Sequence, residues 1–377
     1  MMSLKTLSVF FVLLMTVSAC DKDDSLIVSD ITSIRYIGEQ VLGSLADVDG
    51  TTLGGLSSID YDNGTFFAIS DDANAPIRYY QLNLTYSETS FTAANVTGVT
   101  RIKDASGNDF ADGMVDPEGL RFEPTSGNFI WISEGQINQG INPSIREITS
   151  TGAQVRTIPT PTIFNIDPND PAVGPRQNGT FEGLSKSVDE EAIWVAMELP
   201  LLQDGQVPSP LLSNTDQPVR ISRINTTTGV VEFQFAYFLG PLARDSNPPG
   251  GFAINGVVEI LEYNTNQFLV IERSFAAGYA DGGNDVKIFK VDARQATNVQ
   301  SLNALGGATY TVATKSLLFD FESIRAQLTG GIVDNIEGIT FGPELPNGSA
   351  SLVVIADDNF SAFGPQLNQI IAFEVNP

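Results

Sequence analysis

Acidic side chains stand at matching places in a repeated segment of the sequence. Each copy begins with small or acidic residues before a Leu or Ile, turns, and continues into an apolar stretch that closes near an acid. Five copies are present, at residues 54–72, 116–134, 181–198, 258–273 and 336–358. Gly55, Gly119 and Gly183 in the first three copies are spaced 64 residues apart, a regularity that indicates a structural repeat.

The composition limits the chemistry that these acids can take part in. The chain of 377 residues has no histidine and one cysteine, which excludes an imidazole base and an internal disulfide. Carboxylate, amide and carbonyl oxygens remain as ligands, and they suit Ca²⁺, or Mg²⁺ or Mn²⁺ with retained waters. We expect no zinc, haem or nucleotide cofactor. The formal net charge of −25 makes nucleic acid a poor partner.

The two apolar stretches of each copy are predicted to form a hairpin, which brings its opening and closing acids to one edge. If the first strand of each hairpin is innermost in a ring, these acids converge on the central axis. Several negative charges in such a small volume destabilise the fold unless a cation lies among them. The pairs are Glu118 with Glu134, Glu182 with Glu198, Glu259 with Glu272, and Glu337 with Asp357 or Asp358, while Asp71 and Asp72 close the first copy.

The rest of each repeat predicts two further strands, for example 144–149 with 154–158, and 285–291 with 309–314. Four strands per repeat predict an all-β fold of the β-propeller type with five blades. The last copy lacks a fourth strand, which residues 33–41 can supply by pairing with the C-terminal strand. A degenerate sixth blade within 199–255 or 292–335 stays open, and a β-sandwich is the alternative fold.

The N-terminal residues predict export. Residues 1–19 have Lys5, an apolar run and small residues before Cys20, as in a bacterial lipoprotein signal peptide. Cys20 is then the lipidated residue, 20–30 an acidic tether, and 31–377 a single propeller domain. We expect a monomer attached to the bacterial outer membrane by its lipid alone, with exposure at the cell surface left open.

Several motifs together resemble a known family. The strings GLSSIDYDNGTFFAISDD, DPEGLRFEPTSGNFIWISEG, FEGLSKS, FLVIERSF, NIEGITFGP and LVVIADDNF are similar to the family with esterase-like activity of phytase, a phytase-like β-propeller domain. The likeness covers about residues 50–375. It implies an extracytoplasmic hydrolase-like propeller with its site at Asp71, Glu118, Glu134, Glu182, Glu198, Glu272, Arg273, Glu337 and Asp357.

We therefore predict a metal-dependent hydrolase of esters, with phosphoesters as the first substrate class. Calcium would be held by Glu118, Glu182, Glu337, Asp71 and Asp357, and the catalytic residues would be Glu134, Glu198, Arg273 and Glu272. Arg273 would contact the phosphate, and Glu134 or Glu198 would deprotonate water.

Two alternatives to this hydrolase stay open, a non-catalytic calcium-stabilised binding protein and a glycosidase or lactonase. A sugar site would need stacking rings, but Trp131 and Trp194 lie in apolar stretches typical of core. Asp47-Val48-Asp49-Gly50 and residues 281–285 are weaker candidates for calcium loops.

Overall fold

A computed structural model describes residues 30–209, 216–362 and 366–377. Residues 1–19, Cys20 and all but the last residue of the 20–30 tether therefore lie outside the described residues. In the described parts the chain forms 22 strands and six short 3-10 helices. The 3-10 helices are Ile137–Gln139, Thr162–Phe164, Phe321–Ser323, Arg325–Gln327, Thr329–Gly331 and Asn359–Ser361. No helix in these ranges is long and apolar enough to cross a membrane.

Five antiparallel sheets of four strands form the blades, each from neighbouring strands of the chain. The first blade consists of β4 (Leu56–Asp62), β5 (Thr65–Ser70), β6 (Arg78–Tyr86) and β7 (Phe91–Arg101). The second consists of β8 (Pro117–Glu123), β9 (Asn128–Ser133), β10 (Ser144–Thr149) and β11 (Gln154–Ile158). The third consists of β12 (Phe181–Lys186), β13 (Ala192–Met197), β14 (Gln217–Asn225) and β15 (Val231–Leu239).

The fourth blade consists of β16 (Ala253–Asn264), β17 (Gln267–Ala276), β18 (Asn284–Asp292) and β19 (Thr314–Asp320). The fifth consists of β20 (Asn335–Phe341), β21 (Ser351–Asp357), β22 (Asn368–Asn376) and the first strand of the chain, β1 (Ser33–Leu42). A small hairpin of β2 (Asp47–Val48) and β3 (Thr51–Thr52) precedes the first blade.

The ring closes through its two chain ends. Strand β1 pairs with β22 in a register from Ser33 opposite Asn376 to Leu42 opposite Asn368. The first strands of the blades, β4, β8, β12, β16 and β20, contact one another in a closed circle. This confirms the predicted five-bladed propeller, its innermost strands and the strand supplied by residues 33–41.

Close packing of the innermost strands explains the glycines of the repeat. A Cβ on Gly338 would lie 2.9 Å from the backbone nitrogen of Ile59 in the next blade. A Cβ on Gly183 would lie 3.1 Å from the nitrogen of Ile260. Larger residues would force the strands apart, because the centre of a small ring has no spare volume.

One strand was predicted in the wrong place. The fourth strand of the fourth blade is Thr314–Asp320, not 309–314. The preceding residues bind the third blade instead, where the backbone nitrogens of Val299 and Ala313 donate to the carbonyls of Gln234 and Ala236. Val299 packs with Ala236 in a small separate core, so apolar residues in this segment indicate packing between blades.

Candidate functional site

The two faces of the ring carry different connections. Each innermost strand begins, and each second strand ends, at the same face, which we call the acidic mouth. Long connections such as 102–116, 159–180 and 240–252 lie there, whereas most turns on the opposite face are short, such as 63–64 and 265–266. Long loops on a rigid scaffold are where binding residues are commonly found, so the acidic mouth is the candidate site.

A β-bulge near the start of each innermost strand sets which side chains point into the mouth. Pairing with the second strand shifts by one residue between Leu56 and Ser58, Pro117 and Leu120, Phe181 and Gly183, Val257 and Glu259, and Ile336 and Gly338. A bulge turns a side chain out of the regular alternation. The residues at these bulges are Ser57, Glu118, Glu182, Val258 and Glu337.

The second strands supply a matching set, one residue from each blade. The residues paired just before the bulges are Ser70, Ser133, Met197, Glu272 and Ala356. The residues that follow them are Asp71, Glu134, Glu198, Arg273 and Asp357. Arg273 of the fourth blade therefore holds the place that carboxylates hold in the other four.

Glu272 and Glu259 do not join the other acids, which corrects the prediction for this blade. Glu272 lies one residue before the mouth position, and a one-residue slip along a strand turns a side chain to the other face. Its carboxylate accepts hydrogen bonds from Tyr237 at 2.5 Å and Lys315 at 2.6 Å. Glu259 pairs with Arg121 at 2.6 Å.

Only the first member of each acidic doublet lies at the mouth. Asp72 pairs with Arg78 at 2.9 Å, and Asp358 accepts a hydrogen bond from the backbone nitrogen of Gly55 at 3.0 Å. Asp71 and Asp357 interact with each other electrostatically instead. The structure thus places Asp71 and Asp357 where the sequence predicted site residues.

Five carboxylates on one side of the mouth form what we call the uncompensated group. It comprises Asp71, Asp116, Glu118, Glu134 and Glu182. Oxygens of Asp71, Asp116 and Glu118 lie within 4.8 Å of one another, and so do oxygens of Glu118, Glu134 and Glu182. Glu118 is 6% exposed, yet its carboxylate accepts no hydrogen bond from any described residue, and no salt bridge among the described residues includes a member of this group. Such an environment suits a hard divalent cation.

The other side of the mouth carries its own cation. The guanidinium of Arg273 lies 3.0 Å from Glu337 and 3.3 Å from Glu198, and it also donates to the side-chain oxygen of Asn335. The Asn335 amide donates to Glu337 at 2.9 Å and to Asp357 at 3.3 Å. We call Arg273, Glu198, Glu337 and Asp357 the arginine group.

The pKa values of the acids reflect this crowding. Burial, followed by the charge of Glu198, raises the pKa of Glu134 to about 8. Burial raises the pKa of Glu198 to about 7 against the opposing effect of Arg273, and raises that of Asp116 to about 6. Burial and neighbouring carboxylates raise the pKa well above its usual value for Asp71, Glu118, Glu182 and Asp357.

The pKa values of the two partners in the arginine group shift upward as well. Burial raises the pKa of Glu337, although Arg273 opposes it. Burial alone would lower the pKa of Arg273, but the charges of Glu337 and Glu198 raise it. The mouth thus holds protons near neutral pH unless a cation replaces them.

Two of the acids are held by neighbouring loops. One oxygen of Glu134 accepts hydrogen bonds from the backbone nitrogens of Gly179 at 2.5 Å and Thr180 at 2.7 Å. The Gln136 amide donates to Asp116 at 2.7 Å. The contacts of Glu134 leave its second oxygen for a ligand, while Asp116 also forms a side-chain hydrogen bond with Asp71. Asp116 was missed as a site residue, although it stands two residues before Glu118 as Asn335 does before Glu337.

A buried ion pair lies among the innermost strands of the ring. Arg121 is 1% exposed and Glu259 is 0% exposed. Arg121 also donates to the Ser58 hydroxyl at 3.0 Å and the Ile59 carbonyl at 2.7 Å, and Glu259 accepts from the Leu184 nitrogen at 2.7 Å. Arg121 also donates to the Ile339 carbonyl at 3.4 Å, so the pair links the innermost strands of all five blades.

The two short calcium-loop candidates are otherwise engaged. Arg244 binds Asp281 at 2.9 Å and Asp285 at 2.8 Å, so a guanidinium already neutralises these acids. Asp47 accepts a hydrogen bond from the Gly50 nitrogen at 3.3 Å, and Asp49 lies 3.8 Å from Arg101. Among the described residues neither segment belongs to a group of three carboxylates that could hold an ion, so the structure does not support either prediction.

The model of the phytase-like family, described as esterase-like activity of phytase, matches residues 51–360. No curated protein matches the chain significantly.

Solved structures give distant likenesses. A GH43 β-1,3-galactosidase with galactodeoxynojirimycin is 9% identical, with 89% of this chain and 94% of that chain covered and a TM-score of 0.46. A thermostable family-43 glycoside hydrolase is 8% identical, with 88% and 92% covered and a TM-score of 0.47. The major Malassezia sympodialis allergen Mala s 1 is 9% identical, with 85% and 93% covered and a TM-score of 0.42. At these identities and TM-scores the likeness carries no inference about substrate.

Proposed function

Because the chain belongs to the phytase-like family described as esterase-like activity of phytase, we propose that it is a metal-dependent hydrolase of esters, with phosphoesters as its substrates. One observation carries the proposal. At a single mouth, five carboxylates without a salt-bridge partner among the described residues stand beside a group built around Arg273. A cation site next to a guanidinium is an arrangement that binds a phosphate from two sides.

The residues at the mouth fit a hard divalent cation. Glu118 and Glu182 accept no hydrogen bond from a described residue, and Asp71, Asp116 and Glu134 complete the set within reach. All donors are carboxylate oxygens, which favour Ca²⁺, with Mg²⁺ or Mn²⁺ as substitutes. When bound, the cation supplies positive charge that polarises the phosphoryl group and lowers the pKa of a bound water.

Arg273 is the anion-binding residue of this proposal. Its Nε is buried without a hydrogen-bond partner in the described structure, so the guanidinium keeps a donor beyond those engaged with Glu198, Glu337 and Asn335. Its planar fork matches the oxygens of a phosphate. Because Glu198 and Glu337 hold the fork in place, the substrate meets a fixed donor.

Glu198 is the general base of this proposal, because it lies outside the set of cation ligands. Arg273 lies 3.3 Å from one of its oxygens, so the other oxygen can accept a proton from an attacking water. Its pKa of about 7 is near the value at which proton transfer is efficient. The water loses this proton as it attacks phosphorus in line, the bond to the ester oxygen breaks, and that oxygen leaves as an alcohol after taking a proton from solvent, so no covalent intermediate is needed.

An assay of the purified protein tests this function. Phosphomonoester, phosphodiester, carboxylic ester and lactone substrates are each offered with Ca²⁺ and after complete chelation. We expect phosphoester hydrolysis that disappears on chelation and returns with Ca²⁺. Glu182→Gln should abolish turnover while the protein remains folded. Glu147→Gln, which changes a buried acid paired with Arg156 outside the mouth, is the control and should retain turnover.

Three results would contradict the proposal. Turnover that survives complete chelation would remove the metal from the mechanism. Turnover of lactones or glycosides in place of phosphoesters would change the substrate class, although Trp131 and Trp194 are fully buried and offer no stacking surface. No turnover of any substrate, together with a large rise in melting temperature on adding Ca²⁺, would favour a calcium-stabilised binding protein.

We also propose that the protein is exported and attached to the outer membrane by a lipid on Cys20, because the residues before Cys20 have the pattern of a lipoprotein signal peptide. Metabolic labelling with a radioactive fatty acid tests this. Label and membrane association should both be lost in Cys20→Ala, and labelling of that variant would refute the assignment.

A further inference from the structure

We infer that the uncompensated group binds two divalent cations, bridged by the carboxylate of Glu118. The inference rests on the cation site of the proposed function and adds the number of ions and the residue that joins them. One ion would lie with Asp71, Asp116 and Glu118, and the other with Glu118, Glu134 and Glu182.

The positions of the ligand atoms carry the first step. Two triples of carboxylate oxygens each lie within 4.8 Å, and Glu118 is the member that both share. Cations bridged by one carboxylate lie about 3.5–4 Å apart in two-metal sites. Apart from Glu118 the two triples share no member, and the described residues form no group that brings all five carboxylates within 4.8 Å of one another.

The state of Glu118 itself carries the second step. Glu118 is only 6% exposed, and neither of its carboxylate oxygens accepts a hydrogen bond from a described residue. A buried carboxylate without donors is costly unless something else satisfies both oxygens. One ion at each oxygen does so, whereas a single ion on one oxygen leaves the other unsatisfied.

Charge carries the third step. The uncompensated group has five carboxylates, and none takes part in a salt bridge of the described residues. One divalent cation leaves most of this charge unbalanced, while two cations balance four of the five carboxylates. The arginine group does not make up the difference, because Arg273 is shared between Glu198 and Glu337.

Each proposed ion also has a ligand held by its own loop. Gln136 fixes Asp116 at 2.7 Å, and the amides of Gly179 and Thr180 fix Glu134. The contact with Asp116 affects only the ion site of Asp71, Asp116 and Glu118, and the contacts with Glu134 affect only the site of Glu118, Glu134 and Glu182. The two sets of contacts come from separate segments of the chain. The two sites can therefore be altered one at a time.

Calcium titration of the chelator-treated protein by isothermal calorimetry tests the inference without any substrate. We expect two Ca²⁺ per chain for the wild type, and one each for Asp116→Asn and Glu182→Gln. Glu118→Gln should bind at most one ion, with affinity at least tenfold lower, because an amide offers only one ligand oxygen. Glu147→Gln, outside the mouth, should keep both ions.

One ion per chain in the wild type would overturn the inference, and so would two tightly bound ions in Glu118→Gln. If Glu118→Gln does not fold, the Asp116→Asn and Glu182→Gln variants decide, because unchanged counts in both would equally overturn it. Two ions in a protein that hydrolyses nothing would refute the proposed function alone. Calcium-dependent turnover with one ion would refute the bridged pair alone.

Discussion

Arg273 lies 3.0 Å from Glu337 of the neighbouring blade, and so joins the fourth blade to the fifth at the acidic mouth. The guanidinium stands where the second strands of the other blades place a carboxylate. One substitution in a fivefold pattern thus places a guanidinium among the carboxylates of the mouth.

Replacing Arg273 should separate anion binding from cation binding. We expect Arg273→Gln to lower kcat/KM for a phosphoester by about 10²-fold, the size of effect seen when a positioned donor to the transition state is lost. Calcium stoichiometry should not change, because the ligands lie in the other group. Steady-state kinetics and calcium titration measure the two effects. Arg294→Gln, at an exposed pair with Asp292, is the control, and unchanged kinetics in Arg273→Gln would remove the assigned role.

The stability of the metal-free protein should fall as the pH rises. The acids of the mouth have pKa values raised in the folded state, to about 6 for Asp116, about 7 for Glu198 and about 8 for Glu134, against about 4 when unfolded. Between these values the folded state binds more protons than the unfolded state, so the free energy of unfolding decreases from about pH 4 to pH 8.

Calcium should reverse this trend, because a bound cation replaces the protons. Thermal melts from pH 4 to 9 with chelator and with Ca²⁺ measure the effect. At 100 times the dissociation constant, one bound ion stabilises the fold by about 2.7 kcal/mol. A metal-free protein whose melting temperature rises across this pH range would contradict the assigned burial of the acids.

The Arg121 and Glu259 pair should matter for folding. Removing one member leaves a buried charge unpaired, so Arg121→Met should lower the free energy of unfolding by about 3–5 kcal/mol. The double variant Arg121→Met with Glu259→Met should lose less free energy of unfolding, since neither buried charge then remains. Denaturant unfolding of the three proteins measures this, and a double variant less stable than the single one would show that the pair itself supplies the stability.

Glu272 gives a test of the corrected site. Glu272→Gln should leave calcium stoichiometry and turnover unchanged, because its carboxylate is already held by Tyr237, Lys315, Gly240 and Asn255 and belongs to neither group of the mouth. Its melting temperature should fall, since Lys315 loses its salt bridge. A loss of turnover as large as that of Glu182→Gln, in a folded protein, would return Glu272 to the site.

The repeated pattern was enough to predict the blades, the closing strand and most of the acidic mouth. Alternating apolar residues and the recurring Glu-Gly-Leu or Glu-Gly-Ile motif are local signals, and they placed Glu118, Glu182 and Glu337 at equivalent points. The sequence pattern aligned Glu259 of the fourth blade with the bulge residues Glu118, Glu182 and Glu337, but the residue at the bulge is Val258. The position of a bulge cannot be read from the composition of a strand, so this one-residue error was not detectable. Arg273 was identified in its motif, but its place in the ring of closing residues follows only from the strand register.

Contacts between distant parts of the chain were beyond such reasoning. In sequence Asp281 and Asp285 resemble a calcium loop, but in the structure Arg244 forms salt bridges with both of them. Glu259 looks like a member of the acidic set until Arg121, more than a hundred residues earlier, is found beside it. Whether a carboxylate is neutralised depends on the folded neighbourhood, which short motifs do not encode.

The pairing of β1 with β22 has a practical consequence for how the molecule is presented. Ser33 lies opposite Asn376, so both described ends of the polypeptide leave from the face opposite the acidic mouth. An anchor on the N-terminal side of β1 would turn the acidic mouth outward, away from the bilayer. Affinity handles or surface immobilisation at either end should likewise leave it unobstructed for diffusing ligands.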